Sequence, residues 1–379
     1  MGDAGPPQTG PGAQHLYVHL PFCAHRCGYC DFVTVTRRAG DEHGRYVDAL
    51  LTELELERSH LAAGPQSIFL GGGTPTFTEP AALARLFAGL PPAGELTVEA
   101  NPETVTPALA ALLREHGVNR ISLGAQSFQP HLLETLERLA TPAAVRAAVA
   151  ILRGAGFDNV SLDLIYGIPG QTRDDLERDL AEALALEPEH LSAYELEAKP
   201  GTRFTGAHEA ELERQAEALE DFFERVVATL AGAGYRWYET ANFCRADSTR
   251  DLRAQHNLGY WQGRDYLGLG IGAVSTISGL RWRNARSLPR YLAALGRGDR
   301  PEREQEPLDD ATRAVERVLL GLRLDEPLAL SGLDRALNQA AVARLERQGL
   351  ARVLDGGARL ALTERGRFLG GGVTAELLA

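Results

Sequence analysis

The chain has 379 residues, with 39 Lys and Arg against 51 Asp and Glu, for a formal net charge of −12. Such a field repels phosphate backbones and argues against general nucleic-acid binding. The length predicts two or three domains, the 44% hydrophobic content supports a sizeable core, and four cysteines are too few for a disulfide framework.

The first fifteen residues, MGDAGPPQTGPGAQH, have neither a basic start nor an apolar run. They are expected to form a disordered tail rather than a signal peptide. No later stretch approaches the roughly 20 apolar residues of a membrane span, so a reducing cytoplasm is the expected compartment.

From residue 16 short apolar strands alternate with helical segments. LYVHL (16–20) reads as a strand and runs directly into PFCAHRCGYCDF (21–32). Asp41 is placed to cap a helix whose Tyr46, Val47, Leu50, Leu51 and Leu54 form an apolar stripe. SIFL (67–70) is the second strand and enters GGGTP, and LTVEA (96–100) is the third. RISLGA (120–125), VSLDLI (160–165) and LSAYELE (191–197) follow as fourth, fifth and sixth. Thr106–Pro107 and Thr141–Pro142 each set a capping hydroxyl before a proline at the first helical position, and Thr172 can cap a third helix. Gly117 and Gly154 are expected helix stops.

Alternating strands and helices predict a parallel α/β sheet, bent into an open or closed barrel, with its chemistry at the carboxyl ends of the strands. A helix is expected from about 207 to 232, then a strand at YRWYET (235–240) and an aromatic, glycine-rich segment at 255–275. Residues 297–308, charged and proline-bearing, read as a linker. The rest predicts two helices and a pair of strands around DGG (355–357), a winged-helix-like unit. The acidic chain weakens a DNA-binding use for it and favours packing or partner contact. The expected divisions are therefore a tail at 1–15, a barrel at 16–205, an extension or cap at 206–300 and a C-terminal unit at 301–379.

Cys23, Cys27 and Cys30 follow the first strand directly. Their spacing would also suit one face of a helix, but Pro21 and Gly28 oppose a regular helix there. Zinc with His19 or His25 as a fourth ligand is one reading. A 4Fe–4S cluster fits better: it ordinarily takes four thiolates, and three leave one iron open for a substrate or cofactor. GGGTP (71–75) follows strand two, and three glycines allow a ligand close to the backbone. Glu99, Gln126 and Asp163 lie at or near the ends of three successive strands, which suits a polar ligand over a barrel mouth.

The CxxxCxxC run after a first barrel strand resembles the signature of the radical S-adenosylmethionine (SAM) enzymes. The resemblance implies a partial (β/α)6 TIM-like barrel and a cluster whose open iron is chelated by SAM. It also implies one-electron reduction of the sulfonium to a 5′-deoxyadenosyl radical. The motifs are similar to the subgroup that contains oxygen-independent coproporphyrinogen III dehydrogenase and the heme chaperone family HemW, from about residue 16 to the C-terminus. That likeness implies SAM contacts at Tyr17, Gly72, Gly73, Thr74, Glu99, Gln126, Arg138 and Asp163, with Tyr29 touching the nucleoside or shielding the cluster. Ala140 departs from the His that relatives often carry two places after the arginine.

Within the subgroup, the dehydrogenases resemble CxxxCxxCxC, where this chain has Phe32, and they carry a longer N-terminal extension. Both differences favour the chaperones. HNLGYW (256–261) resembles their HNxxYW motif, which implies His256 as a heme ligand with Tyr260 and Trp261 against the porphyrin. From the residues alone, a histidine hydrogen-bonded in a packed aromatic corner is the favoured reading; the resemblance reverses that preference. The glycine-rich stretch that follows is expected near the SAM adenine, with Val274 in place of a His. Cys244 is expected to be structural. The implied cargo is heme and the implied partner a heme-acceptor protein, of respiratory type or a membrane-protein client, with homodimerisation as a further expectation. Decarboxylation of coproporphyrinogen propionates is the alternative activity.

Overall fold

In the computed structural model, which describes residues 12–36, 41–197, 199 and 203–379, the strand–helix rhythm becomes one large sheet. Strands β1 (His15–Leu20), β2 (Ser67–Gly72), β3 (Glu95–Ala100), β4 (Arg120–Gln126), β5 (Val160–Tyr166) and β6 (His190–Glu195) lie side by side in chain order. Every neighbouring pair among them is parallel. The crossovers carry α1 (Glu42–Leu56), α2 (Pro80–Gly89), α3 (Pro107–Glu115), α4 (Pro130–Thr135), α5 (Pro142–Gly154) and α6 (Arg173–Ala185). All six expected strands are present, with ends shifted by at most two residues.

Strand side chains alternate between faces, and here the two faces differ in chemistry. Leu16, Val18, Leu20, Ile68, Leu70, Val98, Ile121, Leu123 and Leu162 point outward into one core shared with Tyr46, Val47 and Leu50 of α1. The residues between them are largely polar and point inward. The helix starts behave as their sequences require. Thr106 accepts from Leu109 N–H and Thr141 from Ala144 N–H, both at 3.2 Å. Thr172 and Asp175 form a reciprocal capping box. Asp41 stands at the start of α1 but makes no side-chain cap there.

Beyond β6 the chain departs from expectation. The single helix expected at about 207–232 is two, α7 (Arg203–Ala216) and α8 (Leu219–Gly232). They lead to a hairpin of β7 (Tyr235–Glu239) and β8 (Asn242–Arg245), in which β8 adds antiparallel to β6. The aromatic, glycine-rich segment holds α9 (Gln255–Trp261), β9 (Tyr266–Leu269) and β10 (Val274–Ile277), followed by β11 (Leu280–Asn284) and α10 (Leu288–Leu295). Strand β9 pairs in parallel with the free side of β1, and β10 and β11 continue antiparallel.

The expected linker is not one. Residues 303–307 form β12 (Arg303–Pro307), paired with β11 from Leu280↔Pro307 to Asn284↔Arg303. The charges that suggested a linker lie on an exposed sheet edge, where charge discourages pairing with another chain. The tail expectation also needs correction. Residues 1–11 lie outside the described residues, but Ala13 is buried against Leu61 and His15 already belongs to β1.

The C-terminal part comprises α11 (Asp310–Gly321), β13 (Leu328–Ala329), α12 (Gln339–Arg347), β14 (Ala351–Leu354), β15 (Arg359–Leu362), α13 (Glu364–Phe368) and α14 (Gly370–Leu377). Its helices and small sheet, ordered β13-β15-β14, enclose a second core around Val318, Leu345 and Leu360. Arginines join it to the hairpin: Arg236 meets Asp325 at 2.7 Å, and Arg323 reaches buried Glu239 at 2.7 Å. The Arg367 guanidinium lies 3.6 Å from the centre of the Trp237 ring.

The capping box gives a stability test. Thr172→Ala is expected to lower unfolding free energy by about 1 kcal/mol, read as a lower denaturation midpoint with unchanged slope in a urea titration.

Candidate functional site

Because the strands turn their polar faces inward, the sheet encloses a cavity of about 620 Å³ that runs from the carboxyl ends of the strands toward their starts. Thirteen positions named from the sequence line it: Tyr17, Tyr29, Gly72, Gly73, Thr74, Glu99, Gln126, Arg138, Asp163, His256 and the three cysteines. Those residues come chiefly from five strands, the cysteine loop and α9, and β6 adds His190, Ser192 and Tyr194 around the same space.

The cysteine loop is tied to the chain beyond it. Cys23 N–H donates to Val35 O at 3.1 Å and Val35 N–H to Pro21 O at 2.8 Å. Cys23 Sγ lies 3.5 Å from Thr74 Oγ1, and Arg138 points an Nη1–H at Cys27 Sγ, 3.8 Å away. All three thiols are free. Among the described residues no group of three or more His, Cys, Asp or Glu side chains converges closely enough to hold a single metal ion. His19 is already engaged, with Nδ1 3.0 Å from Tyr17 Oη and Nε2 2.8 Å from Val33 O. A tetrahedral zinc site needs such convergence, whereas a 4Fe–4S cube spreads its thiolates over separate corners. Three free thiols on one loop, lining one cavity, match the donor set of a 4Fe–4S cluster that leaves one iron open. Burial pushes the Cys23 thiol up to about 11, so iron binding must displace protons.

Within the glycine run the N–H groups of residues 72 to 74 are already engaged. Gly72 N–H donates to Glu99 Oε2 at 3.1 Å, Gly73 N–H to Leu20 O and Thr74 N–H to Phe22 O, both at 2.8 Å. These donors are spent within the fold, which leaves carbonyl oxygens, the acceptors an ammonium group needs. A Cβ at Gly73 would lie 2.5 Å from Pro21 O, and Gly72 has φ +115°, so neither position tolerates a side chain. Asn101, which the sequence reading missed, joins the parts: its amide donates to Thr74 Oγ1 at 2.9 Å and accepts from Arg138 Nη2 at 2.8 Å.

Gln126 closes β4 at φ +64°, a left-handed conformation costly for a non-glycine, at a bulge between Gly124 and Gln126. That bend turns its side chain to the cavity. Asp163 accepts from Ser122 Oγ at 2.9 Å and sits by Ser161 and Ser192. Burial raises the pKa of both carboxyls, and Asp163 adds to the rise at Glu99, which reaches about 7. Lining polar atoms are left without partners: Thr97 Oγ1, Arg120 Nη2 and Arg138 Nε. Unpaired buried polar groups of this kind suit a space filled by ligand or water.

His256 lies at the opposite end of the cavity from the cysteines. Its Nδ1 is 2.9 Å from the hydroxyl of Ser67, the first residue of β2, and its backbone N–H donates to Glu95 Oε1, on the first residue of β3, at 3.3 Å. Its Nε2 is 2.9 Å from Tyr260 Oη, and its ring stacks on Phe69 at 5.1 Å. Burial lowers its pKa to about 3. Helix α9 thus plugs the floor of the barrel, in the hydrogen-bonded aromatic corner that the residues alone favoured. The five steps from Ser67 to Gly72 span roughly 16 Å at ~3.3 Å per residue.

Two expectations are corrected. Trp261 faces away from the cavity, packing with Tyr238, Leu252 and Leu258 beneath the Arg323 guanidinium. The glycine-rich stretch does not line the cavity either. A Cβ at Gly268 would strike Val274 O, and Gly270 N–H donates to buried Glu53 at 2.8 Å, so close packing behind β1 accounts for the glycines. Cys244 is buried in the apolar cluster with Tyr238, as expected of a structural residue. The inward residues Thr97, Arg120, Ser122, Ser161, His190 and Ser192 were overlooked. Their signal was available as a polar residue at every second strand position.

The radical SAM superfamily model matches residues 17–183. The chain is 39% identical over 375 residues to the heme chaperone HemW of Mycobacterium tuberculosis, covering 96% of this chain and 94% of that protein. It is 38% identical over 271 residues to the heme chaperone HemW of Escherichia coli K12, covering 69% and 70% of the two chains. Among solved structures, coproporphyrinogen III oxidase (HemN) from Escherichia coli, a radical SAM enzyme, superimposes with a TM-score of 0.81. That match has 24% identity over 97% of this chain and 90% of the other.

Two measurements test the site. Replacing Cys27 by Ala should abolish iron and sulfide incorporation on anaerobic reconstitution. SAM affinity should rise with pH across about 6 to 8, as the Glu99 carboxyl with its raised pKa ionises and becomes an acceptor for ribose hydroxyls. Glu99→Gln should flatten that profile and weaken SAM binding about 10- to 100-fold, the worth of a charge-assisted hydrogen bond.

Proposed function

The chain belongs to the HemW family of radical SAM proteins, and from that premise we propose that it is a heme chaperone. It would hold a SAM-ligated 4Fe–4S cluster, bind heme and pass it to an acceptor protein. The observation that carries this reading is the extent of the similarity, which runs through 96% of the chain to a relative named a heme chaperone. The likeness to coproporphyrinogen III oxidase supports the fold the two share. Phe32, where dehydrogenase-like sequences carry a fourth cysteine, also favours the chaperone over the decarboxylating enzyme.

In this proposal Cys23, Cys27 and Cys30 hold three irons of the cluster. Carbonyls of the Gly72–Gly73–Thr74 turn take the SAM ammonium group, while Glu99 and Asp163 accept from its hydroxyls. Tyr17, Gln126 and Tyr29 enclose it. Arg138, pinned by Asn101 and by Gly124 O at 3.0 Å, sets a positive charge beside the Cys27 thiolate. The bound cluster supplies one-electron chemistry toward SAM; the protein supplies position and exclusion of water. His256, the ligand implied by the HNxxYW motif, would have to give up Ser67 or Tyr260 to reach iron.

No helix among the described residues is long and apolar enough to cross a membrane. We place the protein in the cytoplasm, handing heme to a respiratory or membrane-bound acceptor, with homodimerisation as part of the same proposal. The test is hemin titration of anaerobically reconstituted protein, with and without SAM. A Soret band and transfer of heme to an apo-acceptor are expected, with no protoporphyrinogen from coproporphyrinogen under reductant and SAM. Protoporphyrinogen formation would reverse the assignment.

A further inference from the structure

We infer that heme iron is taken at the mouth of the cavity by His25, held by Glu137, and not at the floor by His256. This inference rests on the heme-chaperone reading.

Three histidines line the cavity: His25, His190 and His256. A metal ligand needs a neutral imidazole with a free lone pair. His190 has none to offer, with Nδ1 2.8 Å from Ser161 Oγ and Nε2 2.8 Å from Tyr238 Oη. His256 is likewise bonded through both nitrogens and is only 1% exposed. His25 differs on each count. It lies in the cysteine loop, its side chain is 40% exposed, and its Nε2 is 3.7 Å from Glu137 Oε2. Metal-bound histidines as a rule give their other N–H to a carboxylate, which fixes the tautomer. An Nε2–H directed at Glu137 on iron binding would leave the lone pair on Nδ1.

Glu137 is itself positioned. It adopts φ +54°, in the left-handed region, and its Oε1 would sit 2.6 Å from a Cβ at Gly28. The carboxylate therefore lies against the backbone of the cysteine loop, with its other oxygen toward His25. A non-glycine residue whose backbone is held at such a φ points to a positioning role.

The surroundings suit a flat apolar ring with anionic edges. Phe32 and Tyr194, which line the cavity, are 61% and 42% exposed. Leu139, 58% exposed, shares a small hollow with His25 and Cys27. Exposed apolar side chains on the cavity lining and beside His25 suit a binding surface. Of the cations lining the same cavity, Arg26 donates to Cys30 O at 3.2 Å and Lys199 pairs with Glu197 at 2.5 Å, so a porphyrin propionate would exchange for these partners.

Access points the same way. A porphyrin bound to His256 would have to pass the SAM cradle to reach the floor, whereas His25 meets it at the rim. Binding forms one coordinate bond from imidazole nitrogen to iron. No electron is transferred and no covalent bond breaks, so an acceptor's own ligand can replace His25 by exchange.

The test is hemin titration of the anaerobically reconstituted full chain, followed by absorption and magnetic circular dichroism. His25→Ala is expected to lose the imidazole signature and to weaken hemin binding about tenfold or more, with imidazole restoring the spectrum and iron and sulfide content unchanged. His25→Tyr should convert the imidazole spectrum to a phenolate one, and His256→Gln should keep the wild-type spectrum. An imidazole signature that persists in both His25 variants, or that disappears in His256→Gln alone, overturns the inference while leaving the chaperone reading intact. Absence of hemin binding by the wild-type protein removes both.

Discussion

A parallel sheet whose inward face is polar cannot bury that face unless its side chains find partners. Here each strand gives its apolar residues to the helices outside and its polar residues to a shared interior. Neighbours satisfy much of the inner face: Ser122 with Asp163, His190 with Ser161, His256 with Ser67. What remains is concentrated around a cavity, where Thr97, Arg120 and Arg138 keep unpaired buried atoms. A small polar ligand is the natural completion of such an interior. The arrangement departs from barrels whose centre is filled with branched apolar side chains.

The cavity has two ends with different characters. At the mouth, the cysteine loop, the glycine turn and Asn101 are tied together by hydrogen bonds, so the thiols are placed against the glycine turn and not on an independent loop. The raised pKa values of Glu99 and Asp163 reflect the cost of bare negative charge in a buried space. At the floor, α9 inserts His256 and Tyr260 between the starts of β2 and β3 and closes the barrel. The same motif that resembles a heme-binding signature is thus also a structural plug. Its Trp261 serves the contact with the C-terminal part through Arg323, an arginine that also holds Glu239.

Charge does similar work outside the barrel. Glu53 is buried with Tyr291, Asn284 and Gly270 N–H around it, binding α1 to the added strands. Arg303 of the edge strand β12 reaches Glu57 at 2.7 Å. These contacts explain how a segment rich in charge can be part of the sheet. A buried pair of this kind anchors geometry, since removing one partner strands the other in a dry environment.

The strand–helix order, the threonine caps and the thiol set were legible along the chain, because they rest on periodicity, local capping and spacing. The sequence also named the cavity residues at the strand ends, since a parallel sheet turns all those ends to one side. Tertiary structure alone decided what depends on distant partners: β9 pairing with β1, β12 as an edge strand, and the glycines near Val274 as packing space. It also decided the direction each aromatic faces. HNLGYW reads the same whether its histidine meets a ligand or a neighbouring strand, and only the position of Ser67, 189 residues away, distinguishes the two.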